Sequence, residues 1–207
     1  MIHWCKLSSI LLVIFLFGCQ THPSPRVIFQ TPLGNFEVEL YPDAAPITAT
    51  NFLRYVDEGR FEGASFYRTV RRDNQPDNAI QIEVIQAGLK DENHPLALPA
   101  IPHETTAQTG ILHRYGVISM ARNEPGTASS EFFICIGDQP ELDFGGRRNP
   151  DGQGFAAFGR VIKGMEVVRA IHCQPAQGQW LSPPIPFKVH RSKGGDDKRH
   201  SDRPAPK

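Results

Sequence analysis

Apolar residues recur at every second position in several short runs of this chain, and each run stops at a cluster of glycine, proline, asparagine or aspartate. Val27 and Phe29, then Phe36, Val38 and Leu40 alternating with Glu37 and Glu39, flank turn residues 31–35, a pattern that predicts a hairpin with one wet face. Behind Pro46 the spacing changes. Ile47, Phe52, Tyr55 and Val56 recur at helical intervals until Gly59, which predicts a helix over 46–59. Further strands are predicted at 66–70, 80–86, 117–121, 132–134, 155–161 and 187–190, with a short helix over 164–172 whose inner face is Met165, Val168 and Ile171. On the strand at 80–86, Ile80, Ile82, Val84 and Gln86 share one face, and the strand at 66–70 brings Arg68 alongside Gln86. Residues 117–137, VISMARNEPGTASSEFFICIG, read as an antiparallel pair joined by a wide loop. Phe132 and Phe133 must face opposite sides of that sheet, so one ring enters the core and the other lines a surface pocket. Alternation alone does not say which.

Composition narrows the fold class. With 18 glycines and 18 prolines in 207 residues, the chain suits an all-β domain rich in turns rather than a helical bundle. A net charge of zero gives no field to attract nucleic acid. Residues 90–109, with Pro95, Pro99 and Pro102, are predicted to be irregular, and 192–207 to be a disordered polar tail. Cys5, Cys19, Cys135 and Cys173 match neither a zinc signature nor a disulfide framework; a bond between the last two is open but disfavoured, because Cys135 lies inside an apolar strand.

The first twenty residues read as an address. Lys6 precedes an apolar run over 7–17, too short to span a bilayer, which closes on Leu16-Phe17-Gly18-Cys19. This resembles a bacterial lipoprotein signal, which implies lipidation of Cys19; with Gln20 following, it also implies outer-membrane sorting towards the periplasm. An ordinary secretory signal cleaved near Gly18, or an uncleaved anchor, is the alternative. The chain then divides into a signal at 1–18, a lipidated spacer at 19–26, one domain at 27–191 and the tail.

Several site readings fail on spacing. His103, Glu104 and His113 lack the face-matched intervals of a metal set and read as loop residues, so no metal and no cofactor are expected. Ser119, Ser129 and Ser130 lack a nucleophile elbow. Arg71-Arg72 and Arg147-Arg148 read as solvated loop charges. What remains is Arg68 beside Gln86, among apolar neighbours.

In order, Phe66-Tyr67-Arg68, Ile85-Gln86-Ala87-Gly88, Ser119-Met120-Ala121, Ser130-Glu131-Phe132-Phe133-Ile134-Cys135, Phe158-Gly159-Arg160-Val161 and Gly164-Met165 resemble the blocks of cyclophilin-type peptidyl-prolyl cis-trans isomerases. The resemblance implies a closed antiparallel eight-stranded barrel capped by two α-helices. It makes Arg68 the catalytic arginine, Gln86 the group that orients substrate, and Val84, Ala121, Phe133, Leu142 and Phe155 the grip on the prolyl ring. The implied activity is cis-trans isomerisation of X-Pro bonds in unfolded or folding envelope proteins, by a monomer tethered to the membrane through Cys19; a non-catalytic proline-peptide-binding chaperone module is the alternative. Phe133 becomes the pocket ring and Phe132 the core ring. Two departures stand out: Glu83-Val84 replaces the family's aromatic-methionine pair, and Glu141 replaces its tryptophan, which implies weak binding of cyclosporin. Glu83 must either point outward or wet the pocket. Residues 71–78 resemble an insertion bordering the groove.

Overall fold

The computed structural model describes residues 24–192 other than residue 92. The predicted signal, Cys19 and residues 193–207 of the predicted tail lie outside the described residues. Ten antiparallel strands form one sheet: β1 (Arg26–Thr31), β2 (Gly34–Leu40), β3 (Ser65–Val70), β4 (Val84–Gly88), β5 (Val117–Met120), β6 (Phe132–Cys135), β7 (Ala156–Lys163), β8 (Ala176–Gln177), β9 (Trp180–Pro186) and β10 (Lys188–Arg191). Their order is β10-β1-β2-β7-β5-β6-β4-β3-β9-β8. Only Phe187 separates β9 from β10, yet β9 pairs with β3 and β10 pairs with β1. One bent strand over 180–191 therefore joins the two edges of the sheet and closes it into a barrel of eight staves, with β8 as a two-residue flap on β9. Closure leaves no long edge open to another chain.

The two longer helices, α1 (Pro46–Asp57) and α3 (Met165–His172), leave from opposite ends of the barrel. The reason is register: Leu40, at the end of β2, pairs with Gly159, whereas Lys163, at the end of β7, pairs with Glu37. Phe52 of α1 and Val168 and Ile171 of α3 bury their side chains in one common core. Within it Phe29 stacks on its cross-strand partner Phe36 at 4.7 Å, and Phe132 packs on Phe29, Phe52, Phe61, Phe66 and Phe187 at centroid distances of 5.4–6.2 Å. Glu104, predicted as a loop residue, is buried. Its carboxylate accepts from the Ile47 and Thr48 amides at 3.2 and 2.7 Å and from the Thr48 hydroxyl at 2.6 Å, capping the first turn of α1, where the helix dipole favours an anion.

Three expectations change. The strand predicted at 80–86 begins only at Val84, because the Gln75 side chain accepts from the Ile82 amide (3.3 Å) and donates to the Ile82 carbonyl (2.7 Å), occupying groups a ladder would use. The connection over 90–109 is irregular but ends in a single helical turn, α2 (Thr106–Thr109). His113 is a buried residue rather than a loop histidine on the surface. Cys135 and Cys173 are both free thiols, the first buried, which pushes its pKa up, and the second exposed. Among the described residues no helix is long and apolar enough to cross a membrane.

Candidate active site

The face of β3, β4, β6 and β5 that points away from the barrel interior carries a second, smaller apolar cluster: Val70, Ile82, Val84, Phe133, Cys135 and Leu142, with Ala121 and Phe155 packed against it. Register explains the sorting. Ala87 and Ile85 pair with Phe132 and Ile134 and point inward, while Gln86 and Val84 pair with Phe133 and Cys135 and point outward. Phe133 thus lines the outer pocket and Phe132 the core.

Strict alternation would defeat Arg68. Phe66 faces the core, and a residue two positions on would follow it inward. A β-bulge prevents this: between Phe66↔Ala87 and Arg68↔Gln86, two steps on β3 oppose one on β4, so Tyr67 is the extra residue and Arg68 emerges on the outer face. There Arg68 Nη1 donates to Gln86 Oε1 at 2.7 Å, and its Nε and Nη2 donate to Gln179 Oε1 at 3.0 and 2.6 Å. Gln86 Nε2 donates in turn to the Tyr67 hydroxyl at 2.8 Å, which donates to Glu131. Burial pushes the Tyr67 phenol well up, reinforced by the Glu131 charge, so the phenol stays a donor. Burial also lowers the Arg68 pKa from the usual arginine range. No carboxylate among the described residues forms an ion pair with Arg68. Of the five N–H donors of a guanidinium, three are committed to amides and two are left for something else.

Those donors overlook a cavity of 260 Å³ lined by Arg68, Gln86, Val84, Ala121, Phe133, Leu142 and Phe155, together with Ile82, Arg122, Asn123, Arg148 and Asn149. All seven residues singled out in the sequence meet here. Glu83 does not: it turns outward and pairs with Arg72 at 3.1 Å, and Ile82 takes the apolar position. Glu141 likewise pairs with Arg147 at 2.7 Å. Phe133 stands between two rings, stacked on His113 (5.8 Å, 17°) and edge-on to Phe155 (5.2 Å, 88°). His113 is itself hydrogen-bonded to Asp143 at 2.7 Å and to Ser119 at 2.9 Å. That order of groups resembles a hydrolytic triad, but the Ser119 side chain is fully buried, so no substrate reaches its hydroxyl. The chain fixes the ring beneath Phe133.

Phe155 is held by a clamp that composition concealed. The Arg122 side chain, 1% exposed, donates to the Gly154 carbonyl at 2.9 and 2.6 Å, pairs with both oxygens of Asp151 at 2.7 and 2.9 Å, and lies 5.3 Å over the Phe155 ring. Its hydrogen bonds, with that of the Gln153 amide, hold the Asp151 carboxyl at about 2. Gly154 (φ +63°) has to be glycine: a Cβ there would lie 2.5 Å from the Leu142 carbonyl, beneath the Phe155 amide that donates to the same oxygen at 3.0 Å.

Beyond Arg68 the surface continues as an aromatic shelf. Tyr67 and Trp180 stack at 5.9 Å with Lys90 Nζ 5.3 Å over the indole, and Trp180 is 53% exposed. Gln179 and Trp180 were not singled out in the sequence. They enter from the β8–β9 hairpin, more than a hundred residues from Arg68, and no local pattern links them. A larger cavity of 710 Å³ lies elsewhere, between the end of α1 and the β9–β10 bend. It is lined by Tyr55, Phe61 and Phe187 and lacks an arginine, so chemistry rather than size selects the smaller cavity.

A family model described as cyclophilin type peptidyl-prolyl cis-trans isomerase/CLD matches residues 26–191. The chain is 32% identical over 182 residues to a peptidyl-prolyl cis-trans isomerase of Acinetobacter baylyi, covering 87% of this chain and 89% of that one. It is 31% identical over 146 residues to peptidyl-prolyl cis-trans isomerase B of Escherichia coli, covering 70% and 82%. Among solved structures, a cyclophilin-type isomerase of Cryptosporidium parvum aligns with a TM-score of 0.65 at 20% identity, covering 82% of this chain and 98% of that one.

Proposed function

Because the chain belongs to the cyclophilin-type peptidyl-prolyl cis-trans isomerase family, and so catalyses the isomerisation of X-Pro bonds, we propose that Arg68 is its catalytic residue and that Val84, Ala121, Phe133, Leu142 and Phe155 hold the prolyl ring. One observation carries this reading: a guanidinium held by neutral amides, with no carboxylate partner among the described residues, stands at the rim of an apolar cavity.

The reaction breaks no bond. Amide resonance sets a barrier of ~18–20 kcal/mol, and it is lost as the C–N bond turns. In the twisted state the prolyl nitrogen pyramidalises and regains a lone pair, while the displaced carbonyl oxygen changes direction. A donor placed where these atoms arrive stabilises the twisted state above either planar one. Arg68 supplies that donor. Its two uncommitted N–H groups need no proton transfer, since the guanidinium stays charged despite burial. Gln86 and Gln179 fix its plane, so little reorganisation accompanies the turn. The apolar walls grip the ring, and the segment preceding proline does the rotating.

We further propose that residues 1–18 are a signal, that Cys19 carries lipid, and that the monomeric domain works on folding envelope proteins from the periplasmic face of the outer membrane; the lipobox-like Leu16-Phe17-Gly18-Cys19 supports this. Cys19→Ser should move the protein from the membrane to the soluble fraction, and unchanged fractionation overturns the anchor. For catalysis, exchange spectroscopy on a proline peptide should show cis/trans exchange falling by about 10²–10³-fold in Arg68→Ala, the cost of removing one preorganised donor. An unchanged exchange rate in a folded variant removes Arg68 from the mechanism.

A further inference from the structure

Arg147 and Arg148 are consecutive, yet they end in opposite surroundings. Arg147 is exposed and neutralised by Glu141, through Nη2 at 2.7 Å, Nε at 3.1 Å and its backbone amide at 2.9 Å. Arg148 turns inward, is half-buried, and lines the cavity that holds Arg68 and Phe133. Solvation of both, the simplest reading of the sequence, therefore holds only for Arg147. Arg148 Nη1 donates to the Ile80 carbonyl at 2.6 Å and, at 3.4 Å, to Gln75 Oε1. Among the described residues it forms no ion pair with a carboxylate, and neither does its neighbour in the cavity, Arg68. Burial lowers the Arg148 pKa, and the positive charge of Arg68 lowers it further.

Two guanidinium groups over an apolar floor, with no anion to balance either, form an unfavourable arrangement unless a ligand completes it. The adjacent residue adds a second sign. Asn149 lines the same cavity, and its amide nitrogen is buried without a hydrogen-bond partner among the described residues, although buried donors are nearly always satisfied. A carboxylate accepts from a guanidinium and an amide together, with geometry that a carbonyl matches poorly.

We propose that Arg148, with Asn149, selects substrates that carry a carboxylate next to the isomerising proline. The carboxylate comes either from an aspartate or glutamate side chain or from the chain terminus when proline is close to the end. This rests on the prolyl ring occupying the Phe133 cavity. Acceleration of a neutral peptide, and its loss in Arg68→Ala, reports on that reading separately.

The test compares three amidated or acid-terminated peptides of otherwise identical sequence: one with glutamine next to proline and an amidated end, one with glutamate in the same position, and one with glutamine and a free carboxylate. Glutamate is placed before proline in one series and after it in another. For the wild type we expect kcat/KM about tenfold higher for at least one anionic peptide than for the neutral one, a ratio equivalent to ~1.4 kcal/mol. Arg148→Gln should bring that ratio to about one, and Arg147→Gln should leave it in place. The ratio is internal, so a loop that merely loses its tie to Ile80 lowers all three peptides together. Equal kcat/KM across the peptides in the wild type overturns the proposal without any variant, and so does a preference that survives Arg148→Gln or disappears equally in Arg147→Gln.

Discussion

The inside and the outside of this barrel are both lined with apolar side chains, but they are held in different ways. Inside, Phe29, Phe36, Phe52, Phe66 and Phe132 support one another, ring against ring, from the strands of the barrel and from α1. Outside, Phe133, Leu142, Phe155 and Ile82 meet only because polar clamps hold three long loops in place: Gln75 on Ile82, Arg122 on residues 151–155, and the His113–Asp143 pair under Phe133. The core follows from local pattern; the groove follows from side-chain hydrogen bonds within and between loops. Binding surfaces are commonly assembled in this second way, on loops positioned by a rigid scaffold.

The neighbouring phenylalanines of β6 give the sharpest way to break the contrast. Phe132→Ala should cost ~3–5 kcal/mol of stability, as for other fully buried rings, while leaving activity per folded molecule close to wild type. Phe133→Ala should cost roughly 1–2 kcal/mol, because the groove opens to water, and should lower kcat/KM by tenfold or more. Thermal unfolding and exchange kinetics on both variants decide it: equal stability losses would dissolve the distinction between core and groove. A smaller effect separates reach from chemistry. Gln179→Ala removes the acceptor of two Arg68 donors and should lower kcat by about tenfold through loss of orientation, with melting temperature nearly unchanged.

The smallest effect is in acid. Asp151 titrates at about 2 in the fold, held down by Arg122, against roughly 4 in an unfolded chain. A depressed carboxylate contributes stability above its unfolded value and loses it as pH falls through the folded one. The difference in melting temperature between wild type and Asp151→Asn should thus be full above about pH 4–5 and shrink towards zero near pH 2. A difference that does not vary with pH would remove the pair from the energetics of the loop.

How much of this was legible depends on the range of the signal. The opposite fates of Phe132 and Phe133 follow from alternation, and the pairing of Arg68 with Gln86 from two adjacent strand patterns. The family resemblance then assigned each ring its side. The bulge at Tyr67 left no sign in the sequence, although without it Arg68 would point into the core. The strand expected at Ile80 failed because a glutamine five residues upstream captures the backbone of Ile82, a contact no periodicity reports. Glu83 was readable to the extent that alternation allowed it to turn outward, which it does. Gln179 and the inward turn of Arg148 were invisible, because each depends on a loop meeting another loop far along the chain.

Closure of the barrel through the bend at Phe187 has a topological consequence. The interior is filled, so nothing passes through it, and the groove runs across the outer wall from the Trp180 shelf past Arg68 to the Phe133 cavity. A polypeptide laid there enters and leaves without an end being threaded. Prolines in the middle of a long chain, with structure already formed on either side, are as accessible as those near a terminus, provided that the few residues around them lie extended.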